Sequence, residues 1–151
     1  MENFFEIYIK ATLENVSTVR VAISSFVSNL DITIDELMDI KTSVSEAVTN
    51  SIEHGYENIL TEESIVQVKA KIINKDENSI VRIEVIDSGI GIEDIEIATT
   101  PTYTSKPELE HAGMGFTIME TFMDEIIIDS NKNEGTHVTL IKKIRKKKSN
   151  S

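Results

Sequence analysis

The two alternating runs Ser64–Ile73 and Ser79–Asp87 are joined only by the turn-like Asn74–Asn78. Alternation with period two marks strands. A link this short favours antiparallel pairing, because a parallel crossover needs about a dozen residues or more. A second pair of the same kind, Glu125–Ser130 and Thr136–Ile144, meets at a turn around Asn131–Gly135. The sheet is therefore built from neighbouring strands, which limits the folds open to the chain.

The remaining segments supply one more strand and three helices. Asn3–Thr12 alternates partially, with Phe5, Ile7 and Ile9 against Glu6, Tyr8 and Lys10, and reads as a strand. From about Ser17 to Leu30, Val19, Ile23, Phe26, Val27 and Leu30 share one face of a helix. Thr33 with Glu36 three residues on is a capping-box signature, opening a second helix from Ile34 to about His54. Leu37, Ile40, Val44, Ala47, Val48, Ser51 and Ile52 fall within one arc of that helix, and Gly55 suits its C′ position. Gly113–Phe122 reads as a third helix, after the polar stretch Thr99–Ala112. This order predicts an α/β (α+β) two-layer sandwich, a mixed and mostly antiparallel sheet with helices on one face. A dinucleotide-binding reading fails because "SGIGIED" lacks the third glycine of that fingerprint.

The chain has 151 residues, 40% of them apolar, enough for one domain with its own core. We expect a single domain over 1–144 followed by a basic, disordered tail, 145–151. Net charge is −11, yet the last ten residues hold six of the fifteen basic groups and no acid. A body this acidic repels nucleic acid and anionic lipid, so no direct binding to either is expected. A phosphate ligand would need backbone amides or a metal. Absence of cysteine excludes disulfides and thiolate metal sites. With no signal-peptide pattern at the start and no long apolar run, the expected location is cytoplasmic.

Four stretches can carry chemistry. Glu46 and Asn50, four apart in "SEAVTNSIEHG", project together from the second helix. They are either a solvated face or a working pair, with an amide oxygen suited to Mg²⁺ beside a carboxylate able to take a proton. In "VIDSGIGIED", Asp87 continues the apolar row of Val81, Ile83 and Val85 and needs a donor. Capping the next turn would supply one, as would a ligand amine such as that of adenine, with Gly89 and Gly91 leaving room for a flat ring. "TTPTYTSKPELEHAG" is either a surface loop or a lid, with Thr104, Ser105 and Lys106 placed to meet phosphate. "GMGFTIM" sets Gly113 and Gly115 at the start of a helix, where free amides form an anion site.

Taken in order, "SEAVTNSIEHGYEN", "VIDSGIGIED", "GMGFTIMETFMDEI" and "NEGTHVTL" resemble the N, G1 and G2 boxes and closing strand of the GHKL superfamily, whose ATP site is the Bergerat fold. Within it the chain is similar to the small anti-sigma serine kinases of endospore-forming bacteria over about residues 5–144. The resemblance implies Glu46 as general base and Asn50 as the Mg²⁺ ligand beside the phosphates of ATP. Asp87 would accept from adenine beside Gly89 and Gly91, with Thr136 supporting that end. Thr104, Ser105 and Lys106 would belong to the lid, and Gly113, Gly115 and Phe116 would line the phosphate site. His111 stands where members usually carry an arginine that reaches the γ-phosphate, and Arg20 matches the arginine with which they meet protein partners. The implied partners are a sporulation sigma factor, held by an anti-sigma homodimer, and an anti-anti-sigma factor phosphorylated on serine. The alternative is an ATP-gated module that sequesters the sigma factor and transfers nothing.

Overall fold

The computed structural model describes residues 2–55, 64–89, 110–131 and 134–147, with only the backbone of 54–55 and 110–114. In chain order the elements are β1 (Glu2–Lys10), α1 (Asn15–Val27), α2 (Ile34–Asn50), a π-helical turn (Ser51–Gly55), β2 (Ile65–Asn74), β3 (Asn78–Asp87), α3 (Glu110–Phe122), β4 (Glu125–Asn131) and β5 (Gly135–Arg145).

The five strands form one sheet in the order β1-β2-β3-β5-β4. Every pairing among the described residues is antiparallel, where the sequence predicted a mixed and mostly antiparallel sheet. The register lines up apolar residues in rows across the sheet. Ile7, Val68, Val85, Val138 and Ile128 form one row, and Phe5, Ala70, Ile83, Leu140 and Ile126 the next. The helices cover this face. Val19, Ile23 and Val27 of α1 and Ile40, Val44 and Val48 of α2 are fully buried against it, as is Met119 of α3. Phe26 of α1 meets Phe5 of β1 edge-to-face, with ring centroids 4.8 Å apart.

The opposite face carries charge. Lys69 lies 4.0 Å from Glu6 directly across β1 and β2, and His137 Nε2 lies 2.8 Å from Glu84. Such exposed pairs contribute little stability and serve mainly to keep that face polar.

Helix α2 starts as its sequence dictates. Thr33 Oγ1 accepts from the Glu36 backbone at 3.1 Å, and Glu36 returns the bond to the Thr33 backbone at 3.0 Å. Its end differs from expectation. Regular α-helix stops at Asn50, and Gly55 belongs to the π turn that follows instead of standing beyond a longer helix. Helix α1 runs two residues earlier than read and gives way after Val27, Leu30 being held by a turn bond to the Val27 carbonyl.

Helix α3 begins at Glu110, three residues before the expected start, since Glu110-His111-Ala112 contains no helix breaker. Gly113 and Gly115 therefore both lie within the helix, three and five residues beyond its first described position. The C-terminal segment stays attached past Ile144: Arg145 closes β5, Lys146 N–H donates to the Glu77 carbonyl, and Lys147 N–H donates to Asp31. Among the described residues no helix is long and apolar enough to cross a membrane.

Candidate functional site

Glu46 and Asn50 leave α2 toward α3, whose backbone comes close to both. A Cβ placed on Gly115 would stand 3.0 Å from Asn50 Nδ2 and 3.0 Å from Glu46 Oε2. Glycine is what lets α3 lie flush against this pair. Asn50 is only 9% exposed, so the solvated-face alternative does not describe it. Among the described residues both polar atoms of its amide lack a hydrogen-bond partner, as does the buried Ser43 Oγ on the same helix. A buried polar group left unpaired costs about 1–3 kcal/mol, which a fold tolerates where a ligand completes the bonding.

That donor set suits a hard cation only in part. Asn50 Oδ1 is a neutral oxygen of the type Mg²⁺ accepts, but among the described residues no cluster of three acids or histidines could hold a metal alone. Mg²⁺ is characteristically bound by one or two protein oxygens together with substrate phosphates and water, and the residues present fit that pattern.

Asp87 forms the second part of the site. It ends β3 in the row Ile9, Val66, Asp87, Thr136, Ser130, and is 5% exposed. Gly89 N–H donates to its Oδ1 at 2.9 Å, and the Ser51 hydroxyl and Thr136 backbone amide also donate to the carboxylate. Burial pushes the Asp87 carboxyl above its ordinary value, and these three bonds pull it partway back. Turn capping and ligand binding are thus not exclusive. The carboxylate caps the start of the glycine motif and, with room for about four acceptor contacts, retains one more among the described residues.

Thr136 stands directly opposite Asp87 in the β3–β5 ladder, and its hydroxyl shares a 2.8 Å hydrogen bond with Ser130. Beside it, Gly135 has φ +94°, and a Cβ there would lie 2.1 Å from the Asp87 carbonyl oxygen. This glycine presses β5 against the backbone that launches the Asp87–Gly89 turn.

The two parts are adjacent through the chain itself, because Asn50 ends α2 and Ser51 begins the π turn. One residue faces α3 and the next reaches β3. Single π turns in helices occur frequently at functional sites, and here the turn re-aims consecutive side chains at different walls. Phe116 is 3% exposed in the core beneath Gly115 rather than an open lining residue. Arg20 lies on the exposed side of α1, its Nε donating to Ser45 Oγ at 2.9 Å. Gly91, Thr104, Ser105 and Lys106 lie outside the described residues, as does the side chain of His111, while Gly113 is described only as backbone of α3.

Two site residues escaped the sequence reading. Ser51 was placed on the apolar arc of α2, where a lone hydroxyl among Val48 and Ile52 was the available signal. Gly135 reads in the sequence only as part of a turn, although its place directly before the strand opposite Asp87 marks it.

The class of protein follows from a family match. Residues 9–142 match the family model described as the histidine kinase-like ATPase domain. The RsbU and RsbW domains of Rv1364c from Mycobacterium tuberculosis superpose with a TM-score of 0.67 at 23% identity, over 96% of this chain and 33% of that one. The catalytic domain of histidine kinase ThkA gives 0.51 at 20% identity over 95% and 96%. At these identities the likeness is one of fold.

Sequence relatives narrow the class. The chain is 53% identical to the anti-sigma F factor of Clostridium beijerinckii, over 94% of this chain and 95% of that protein. It is 51% identical to the anti-sigma F factor of Geobacillus kaustophilus, over 98% and 97%. It belongs to the anti-sigma F factor family.

Proposed function

We propose that the protein is an anti-sigma factor that binds and inhibits a sporulation sigma factor and, as an ATP-dependent serine kinase, phosphorylates its anti-anti-sigma partner. The observation that carries this reading is the Glu46–Asn50 pair, with a buried amide lacking partners and a carboxylate beside it, both flush against Gly115. An amide with both polar atoms buried and unpaired beside a carboxylate supports a ligand-facing pair over a solvated one.

In this reading Asp87 accepts from the adenine amino group, and Asn50 Oδ1 faces the phosphates. Mg²⁺ bound there supplies charge neutralisation and holds the phosphates in place. Glu46 orients the incoming serine hydroxyl and accepts its proton as the oxygen bonds to the γ-phosphorus and ADP leaves. Phosphoryl transfer asks a protein mostly for positioning and charge stabilisation, and these few residues supply that. The resemblance would assign Thr104, Ser105 and Lys106 to a lid over the phosphates and His111 to the γ-phosphate, and these side chains lie outside the described residues. Arg20, fixed by Ser45, presents its remaining donors to a protein partner, and the working unit is a homodimer in the cytoplasm.

Incubation with Mg·ATP labelled at the γ-position and the anti-anti-sigma protein tests the proposal. Label is expected on a serine of the substrate, and Asn50→Ala should lose both nucleotide binding and transfer. Tight ATP and sigma-factor binding with no label on the substrate would instead favour a sequestering module without kinase activity.

A further inference from the structure

Ser51 does something that neither the Mg²⁺ reading nor the general-base reading uses. It is 5% exposed, and the π turn that it opens packs against β3 and β5, the strands that carry Asp87 and Thr136. Its hydroxyl donates to the Asp87 carboxylate, alongside the Gly89 and Thr136 amides. Among the described residues no cation stands beside Asp87, and these three neutral donors fix how the carboxylate is turned. An ionised carboxylate has about four acceptor positions. Among the described residues three are occupied, by Gly89, Ser51 and Thr136, which leaves one whose direction is decided by where the other three are held.

We infer that Ser51 is a positioning residue that sets base selectivity: by pinning the Asp87 carboxylate, it leaves a single open acceptor that takes a purine 6-amino group and repels a 6-oxo group. The inference rests on the reading above that Asp87 faces the base. An amino group brings a proton to that acceptor. A 6-oxo purine brings an oxygen lone pair against a carboxylate oxygen, with no proton between them. A carboxylate free to swing can move its oxygen aside and relieve that repulsion, whereas one held on three sides cannot. Selectivity therefore depends on the pin as well as on the acid. The two backbone donors come with the fold, and Ser51 is the side-chain donor of the three, hence the one that substitution can remove.

The test compares dissociation constants for ATP and inosine triphosphate, both with Mg²⁺, in the wild-type protein, Ser51→Ala and Ser51→Thr. Loss of one hydrogen bond to a charged group should weaken ATP binding about tenfold in Ser51→Ala. Inosine triphosphate binding should change less than about twofold, so the ratio contracts roughly fivefold or more. Ser51→Thr keeps the hydroxyl and should keep the wild-type ratio. A merely structural serine would weaken both nucleotides alike. An unchanged ratio in Ser51→Ala, or Ser51→Thr behaving like Ser51→Ala, overturns the inference while leaving the kinase reading intact. A wild-type protein with no preference for ATP would overturn the assignment of Asp87 to the base, and this inference with it.

Discussion

Gly115 and Asn50 lie so close that a single methyl on the glycine would reach within 3.0 Å of the asparagine amide nitrogen. Helix α3 therefore does not simply pack near the pair on α2; its backbone forms one wall around it. The same substitution would meet Glu46 Oε2 at 3.0 Å, so both working side chains are displaced together.

From this contact Gly115→Ala should separate stability from activity. The methyl meets the ends of two side chains that can give by a few tenths of an ångström, while alanine in a helix interior gains up to ~1 kcal/mol over glycine. The melting temperature should hold or rise slightly. Phosphoryl transfer should fall by about tenfold or more, since small misplacements of reacting groups are costly. Calorimetry alongside a transfer assay checks both halves.

Gly135→Ala should behave in the opposite way. Its positive φ disfavours any side chain, and the methyl would run into the Asp87 carbonyl, a backbone atom with no freedom to move away. Destabilisation of about 2 kcal/mol or more is expected, read from the midpoint of urea unfolding.

Asp87 ties the site to pH with two opposite signs. Its folded value is raised above the ordinary 3.8, so the folded state binds the proton more tightly than the unfolded chain does. Its contribution to stability is full below that ordinary value and is lost as pH rises through the raised one. ATP affinity should run the other way, rising over the same window as the carboxylate becomes the acceptor that adenine needs. Asp87→Asn should abolish both dependences and weaken ATP binding by more than about tenfold, because the amide can place a donor where an acceptor is required. Titration calorimetry across the acid range measures the affinity.

Thr33→Ala removes one half of the capping box at the far end of α2. It should cost about 1 kcal/mol of stability and leave the ATP dissociation constant unchanged. A change in affinity would mean that the N-terminal end of α2 communicates with Asn50 at the other end.

Much of this arrangement was legible before any coordinates. Thr33 and Glu36 announced the start of α2 because capping is local chemistry, and the alternation of β2 and β3 placed Asp87 on the covered face. The end of α2 was not legible. Its apolar periodicity runs through Ile52, and only contact with β3 favours a π turn that aims Ser51 at Asp87. The start of α3 was misread because Gly113 and Gly115 suggested a helix beginning, although glycine there serves close approach to α2. Gly135 matters through a strand far away in sequence, a relationship that no local pattern encodes. Strict antiparallel order, expected only in part, follows from how β5 inserts between β3 and β4.

Whether Glu46 takes the serine proton during transfer is decided by the variant Glu46→Gln. This variant keeps the shape and removes the base. Its binding of Mg·ATP and of the sigma factor should match wild type, while label transfer to the anti-anti-sigma serine falls by about a hundredfold or more. Transfer at the wild-type rate would contradict the account, because Glu46 would then be only a neighbour of the site.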